Sequence, residues 1–230
     1  MCGRYVLEDV EDISERFKVP PLVGFERPTF NAAPTQRLPI VFVGEGARVA
    51  EPIRWGLSPT WRRPDGKAAP TLFNARSETV AEKATFRRLL RGYRCLVPAN
   101  GFYEWSTEAG KRVPHRFTVD DGDLFAFAGL WDPGKDGERD PAFTILTTRP
   151  NDLVAPFHDR MPVILRPDLE AFWLDPEVDE PALLEPVYEP FPAERMAVRG
   201  ADPRVNDVRN DDPGLLDTEE SGRDPDDSDR

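Results

Sequence analysis

Residue 2 of this chain is a cysteine, set in the opening MCGRY. Cysteine is small enough for ordinary processing to remove the methionine ahead of it. One residue would then carry a free thiol and a free α-amine. Their unperturbed pKa values, roughly 8.5 and about 7.7–8.0, put both near their nucleophilic forms at neutral pH. The plainer reading is a cysteine on a frayed terminus. Partners are few, because the chain has two histidines. His158, in APFHDRMPVIL, stands in a polar loop before an apolar strand, where His-Asp-Arg is costly to bury without purpose. The alternative is a loop histidine capping nearby backbone. His115, in RVPHRFTV, reads as an exposed strand residue. Glu104 lies among aromatics in NGFYEW, where desolvation raises a carboxyl pKa and suits it to proton transfer. Pairing with an arginine is the other reading. Asn74 and Arg76 occupy FNARSET, between an apolar run and a helix start, where asparagine also makes turns and arginine is often a surface charge. Cys95, between YR and LVP in an apolar run, reads as a core residue.

A formal charge of −12 and a pI near 4.8 argue against nucleic acid as a partner. The distribution reverses that reading. Residues 211–230 hold nine acids and two bases, whereas residues 52–116 hold thirteen Lys/Arg against five Asp/Glu. The basic stretch contains RWGLSPTWRR and FRRLLRGYRC, and arginine interleaved with aromatics suits phosphate contact and base stacking. A solvated helix face with scattered surface arginines is the bland alternative. Arginine outnumbers lysine twenty-five to five, and with the acid-rich remainder the composition resembles that of proteins adapted to high intracellular salt. No stretch approaches the roughly 18 apolar residues of a membrane span, and the opening lacks the apolar core of a signal peptide. Two distant cysteines without a CxxC pair indicate neither a disulfide framework nor zinc. A reducing cytoplasm is the expected compartment, with no metal and no cofactor.

The elements that must position these residues follow from periodicity and punctuation. EDVEDISERF places Val10, Ile13 and Phe17 on one helical face. IVFVG and ARVAEPIRWGL read as paired strands, and Ser77 caps a helix through ETVAEKATFRRLL to about Gly92. RCLVPANGFYEW, RFTV, LFAFAGLW, FTILTT and MPVIL are short β-rich runs, with DDGD as a hairpin turn between two of them. DLEAFWL and PALLEP predict short late helices. Strands without regular intervening helices exclude a doubly wound sheet. The expectation is one α+β domain over residues 2–210, then a disordered acidic tail over 211–230.

Taken together, MCGRY, FNARSET, VPANGFYEW and HDRMPVIL resemble, in order, the four signatures of the SOS-response-associated peptidase family, also called abasic-site processing proteins. FNAAPTQ, RWGLSPTW and VNDVRN fit weaker signatures of the same family. The resemblance implies a largely antiparallel, partly barrel-like mixed β core flanked by short helices. It implies capture of abasic sites in single-stranded DNA, at single-strand/duplex junctions as well, by a monomer and through a thiazolidine at Cys2 once Met1 is removed. Lyase and autoproteolytic activity come with it. By the family pattern Asn74 orients the sugar or amine, Glu104 handles protons at the Cys2 amine, and His158 acts as acid and base at the sugar. Arg4 and Arg76 hold flanking phosphates, while Pro34, Trp55 and Trp61 line the strand's path. Two other functions compete: a cysteine peptidase built on Cys2, His158 and Asn74, and a noncovalent single-strand-binding module.

Overall fold

The computed structural model describes residues 2–59, 65–135 and 139–216. In chain order the elements are β1 (Tyr5–Leu7), α1 (Ile13–Phe17), β2 (Thr29–Ala32), β3 (Arg37–Gly44), β4 (Ala47–Trp55), β5 (Asn74–Arg76), α2 (Ala84–Gly92), β6 (Arg94–Ala99) and β7 (Gly101–Glu108). There follow β8 (Lys111–Val119), β9 (Phe125–Asp132), β10 (Ala142–Thr148), β11 (Met161–Pro162), β12 (Ile164–Leu165), α3 (Pro167–Leu174) and β13 (Met196–Gly200). They form two sheets. One runs β13-β8-β7-β1-β2, all antiparallel. The other runs β11-β10-β4-β3-β6-β9-β12, and β10 also pairs with β9, so β10, β4, β3, β6 and β9 close into a ring. Only the pairings of β10 with β4 and with β5 are parallel among those described. The α+β class is as expected, and the barrel-like character takes the form of this ring.

The sheets share one core of aromatic side chains. Tyr5 of β1 lies 5.4 Å from Trp55 of β4 and 5.9 Å from Phe127 of β9, ring centre to ring centre. Phe102 of β7 stacks on Phe117 of β8 at 5.0 Å. The chain crosses from the ring to the other sheet at Asn100, a single residue between β6 and β7. Its Oδ1 accepts from the amides of Glu8 and Asp9, and its Nδ2 donates to the Asp9 carboxylate and to the Gly122 carbonyl. Gly101 follows because a Cβ there would lie 2.8 Å from the Phe117 carbonyl oxygen. This pivot is what delivers Glu104 of β7 to the seam between the sheets.

Several expectations are corrected. DDGD is not a hairpin turn: β8 and β9 belong to different sheets, and Asp120, Asp121 and Gly122 all adopt positive φ to carry the chain across. The helix expected from Ser77 begins at Ala84, because β5 stays extended to pair Arg76 with Thr147, and a 3₁₀ turn spans Ser77–Thr79. PALLEP forms a 3₁₀ segment, Pro181–Tyr188, with Pro186 inside it, and the first helix is only Ile13–Phe17. The fold also continues beyond residue 210. The Asp211 carboxylate accepts from Thr29 Oγ1 and from the amides of Phe30 and Asn31, and Leu215 is fully buried. The rest of the expected tail, 217–230, lies outside the described residues.

Candidate active site

Cys2 sits just ahead of β1, which is held between β2 and β7 by main-chain pairing. The Tyr103 amide donates to the Arg4 carbonyl at 3.0 Å, and the Cys2 thiol points at the same carbonyl oxygen, 4.0 Å away. The residue is not frayed: Cys2 is completely buried. From the facing ring sheet, Asn74 Nδ2 donates to the Cys2 carbonyl at 2.9 Å. Asn74 opens β5, whose register with β10 (Asn74 opposite Ile145) fixes where that amide points. Its Oδ1 is buried with no hydrogen-bond partner among the described residues.

Glu104 projects into the same seam from β7, 3% exposed. Burial raises its carboxyl pKa, against the pull of the chain's amino-terminal charge and of Arg112. Burial likewise pushes the Cys2 thiol far up, and the Glu104 carboxylate adds to the rise. The His158 imidazole is shifted down, first by burial and then by the amino-terminal charge. Burial is the leading cause of all three shifts. The result is a neutral thiol, a carboxyl that holds its proton to higher pH than usual, and a neutral imidazole. Such a set moves protons; it does not present a ready thiolate.

His158 ends a turn bounded by Asn151, whose Oδ1 accepts from the Val154 amide and whose Nδ2 donates to the Phe191 carbonyl. The His158 amide itself donates to the Val154 carbonyl at 3.1 Å. His115, expected to be an exposed strand residue, is only half-buried: it faces Glu104 across β7 and β8 in register, and its ring packs on Phe157 at 4.6 Å. Cys95 is fully buried in β6, as expected of a core cysteine.

The expected DNA-binding residues differ in where the structure puts them. Arg76 is exposed on β5, two positions from Asn74 and so on the same face of the strand. Pro34 is half-buried in the turn after β2, next to Thr35, whose amide donates to the Trp55 carbonyl. Arg4 is partly committed inward: Nη1 donates to Asn31 Oδ1 at 2.8 Å and to the Val205 carbonyl at 2.6 Å. Trp55 corrects the expectation that it lines a strand's path. It is fully buried, its Nε1 donates to the Phe73 carbonyl at 2.9 Å, and its ring stacks on Phe143. An indole with both faces and its N–H satisfied inside the core cannot stack on a base. Trp61 lies outside the described residues.

Residues that sequence reasoning left unassigned also hold the site. Asn31 Nδ2 donates to the carbonyls of Val205, Asp207 and Asn210, tying the VNDVRN segment to the strand beside β1. Arg160 grips Glu78 with both ends of its guanidinium. Each lies inside a motif already singled out, FNAAPTQ, HDR or SET, and the motif was the available signal. A cleft of about 590 Å³ lies elsewhere, lined among others by Arg54, Arg88, Asp132 and Arg139, and contains none of the candidate catalytic residues. Among the described residues, no cluster of three His, Cys, Asp or Glu is arranged to hold a metal ion, and no helix is long and apolar enough to cross a membrane.

Comparison with known proteins gives a consistent result. Residues 1–208 match the family model for SOS response associated peptidase (SRAP). The abasic site processing protein YoqW of Bacillus subtilis is 38% identical over 225 residues, covering 95% of this chain and 100% of that protein. The chicken abasic site processing protein HMCES is 33% identical, over 84% of this chain and 67% of its own. A crystal structure of a Bacteroides thetaiotaomicron protein superposes with a TM-score of 0.81 at 27% identity, covering 94% of this chain and 98% of that one.

Proposed function

The chain belongs to the SOS response associated peptidase family, and from that membership we propose that it is an abasic-site sensor that captures the lesion in single-stranded DNA through Cys2. Relatives named as abasic site processing proteins supply the substrate class. The observation that carries the reading at residue level is the buried Cys2 main chain, held by Asn74 at 2.9 Å with a buried Glu104 beside it.

Removal of Met1 frees the Cys2 amine. The amine attacks C1′ of the ring-opened sugar, and the carbinolamine loses water to give a Schiff base. The Cys2 sulfur then adds to the same carbon while its proton passes to the former imine nitrogen, closing a five-membered thiazolidine. The net change is the loss of one water. Ring closure is intramolecular, and well-oriented reactions of that kind reach effective molarities of about 10⁵–10⁸ M. A thiol kept neutral by burial arrives with the proton this step needs. Glu104, its pKa raised, relays protons at the amine and at the leaving water, and Asn74 holds the Cys2 main chain in register. His158 assists opening of the sugar ring. Arg76 and the outward part of Arg4 take flanking phosphates, and Pro34 borders the strand. β-Elimination from the Schiff base, in which C2′ gives up a proton and the 3′ phosphate leaves C3′, would be the associated lyase activity, and water then hydrolyses the imine to free the amine. The protein acts as a cytoplasmic monomer on single strands and at junctions with duplex.

A cysteine-peptidase reading asks for a thiol made easier to ionise, and burial together with Glu104 pushes Cys2 the other way. The test is incubation of the full chain with a single-stranded oligonucleotide carrying one abasic site, read on a denaturing gel and by intact mass. A heat-stable adduct is expected, with the mass of the protein lacking Met1 plus the oligonucleotide less one water. Cys2→Ser should give an adduct only when borohydride is present. Crosslinking by protein that retains Met1, or a shift lost on denaturation, overturns the proposal.

A further inference from the structure

Around His158 three side chains do work that the chemistry above leaves unassigned. Arg160 reaches back to Glu78 in the 3₁₀ turn after β5, Nη1 to Oε1 at 2.5 Å and Nη2 to Oε2 at 2.8 Å. The same Nη2 donates to the Thr147 carbonyl at the end of β10, 2.6 Å away. A bidentate arginine–carboxylate pair fixes orientation as well as distance. Arg160 is therefore pinned to the turn that follows β5, the strand carrying Asn74, and to β10, with its side chain only 12% exposed. Its backbone N–H points at the imidazole and donates to His158 Nδ1 at 2.9 Å.

That bond decides where the ring's proton sits. A neutral imidazole has one bare nitrogen and one N–H. With Nδ1 accepting from an amide, the proton is on Nε2. Yet Asp159 Oδ1 lies 2.9 Å from the same Nδ1, a contact that attracts only when Nδ1 carries the proton. The two partners compete for one nitrogen. The Asp159 side chain is 84% exposed, so solvent weakens its pull, while the Arg160 amide is held by the Glu78 grip. We infer that Glu78 and Arg160 form a clamp that selects the Nε2–H tautomer of His158 against Asp159, making Glu78 a positioning residue for proton transfer to the sugar. The kinetic part rests on the function proposed above; the tautomer does not.

The test uses the full chain labelled with ¹⁵N. Its two histidines make long-range ¹H–¹⁵N correlation direct, and a His115→Gln variant identifies the His158 ring. At a pH where the ring is neutral, the wild type should show Nε2–H. Glu78→Ala, at a side chain 51% exposed, should move the population toward Nδ1–H, and Glu78→Gln, still able to accept one guanidinium N–H, should fall between. In capture of a natural, ring-closed abasic site, Glu78→Ala should slow the reaction, by less than the loss of about 10²–10⁴-fold expected on removing the base itself. Losing an acid near the DNA would by itself speed the encounter, so slowing points to the ring. In a His158→Ala background, Glu78→Ala should cost nothing further. A wild-type Nδ1–H ring, a tautomer unmoved by Glu78→Ala, or additive losses in the double variant each overturn the clamp. If no capture occurs with any variant, the nitrogen spectra alone decide the clamp and the proposed function fails separately.

Discussion

The side-chain amide of Asn74 bridges the two sheets to the carbonyl oxygen of Cys2, at 2.9 Å and across 72 positions of sequence. It joins β5, at the parallel edge of the ring sheet, to the residue that precedes β1 of the other sheet. The start of the chain is thereby fixed by a group that sits far away in sequence and close to an exposed arginine, Arg76.

Asn74→Ala should therefore loosen the nucleophile. It leaves a buried carbonyl without its donor, which costs about 1–3 kcal/mol. Capture should slow while the protein still folds, and amide exchange near Arg4 and Tyr5 should quicken. Asn74→Asp should be worse, because a carboxylate would face the Cys2 carbonyl oxygen with Glu104 nearby. Crosslinking rates and hydrogen exchange measured side by side decide it; unchanged exchange with lost capture would give Asn74 a role at the sugar alone.

Glu104 makes a prediction about pH. Its pKa is raised above the ordinary value of a glutamate, burial being the main cause. Between the unfolded and folded values the native state holds the extra proton, so stability falls as pH rises through that window. The favourable contribution is complete below about pH 4.3, the unperturbed value of a glutamate, and is gone above the raised folded pKa. Glu104→Gln removes the ionisation, so its stability relative to wild type should improve from acid toward neutral pH. Capture should nevertheless drop by about 10²–10⁴-fold if the carboxyl relays protons. Thermal unfolding across a pH series, paired with crosslinking rates, separates the two effects; parallel pH profiles for wild type and variant would sink the first.

Trp55 should behave as a core residue. Trp55→Ala removes a fully buried indole and should cost about 3–5 kcal/mol. Trp55→Phe loses the Nε1 bond to Phe73 and part of the volume, a smaller cost. Well below its own unfolding midpoint, Trp55→Phe should capture abasic DNA at the wild-type rate. A variant with an unshifted midpoint and weakened DNA affinity would return Trp55 to the strand's path.

That tryptophan also marks the limit of what the sequence made legible. Local pattern reaches what local pattern encodes: the β3–β4 hairpin, the strand runs, the apolar face of Ile13 and Phe17, and the motif residues Cys2, Asn74, Glu104 and His158. Exposure of one indole is set by sheet packing, and nothing in RWGLSPTW says which tryptophan turns inward. DDGD looks like a hairpin turn because its residues tolerate positive φ, and that tolerance serves equally well for crossing between sheets. Arg160 and Glu78 lie 82 positions apart, so their pairing exists only once β5 and β10 are side by side.

The acidic end of the chain supplies the last prediction, and the structure divides it in two. Residues 211–216 include Asp211, whose carboxylate accepts from the Phe30 amide at 2.6 Å and the Asn31 amide at 3.0 Å, and the fully buried Leu215. Truncation after Asn210 removes both. Hydrogen bonds to a charged group are worth about 1.5–3 kcal/mol each, and full burial of a leucine about the same. The shortened protein should unfold earlier and capture poorly at every salt concentration, because β2 buttresses β1 and Cys2 lies just ahead of β1. Residues 217–230 hold seven acids and two bases, a net −5, and their expected effect is one of charge. In dilute buffer that charge should compete with DNA for the arginines around Arg76. Near molar salt the Debye length is only about 3 Å, so that competition disappears. Truncation after Leu216 should therefore speed capture at low salt, change little near molar salt, and leave the unfolding midpoint where it was. Initial crosslinking rates of the three chain lengths across a salt series, with thermal unfolding of each, read both halves at once. If the two truncations lose stability alike, the anchoring role of Asp211 and Leu215 falls. If truncation after Leu216 slows capture at low salt, the acidic residues assist DNA binding rather than compete with it.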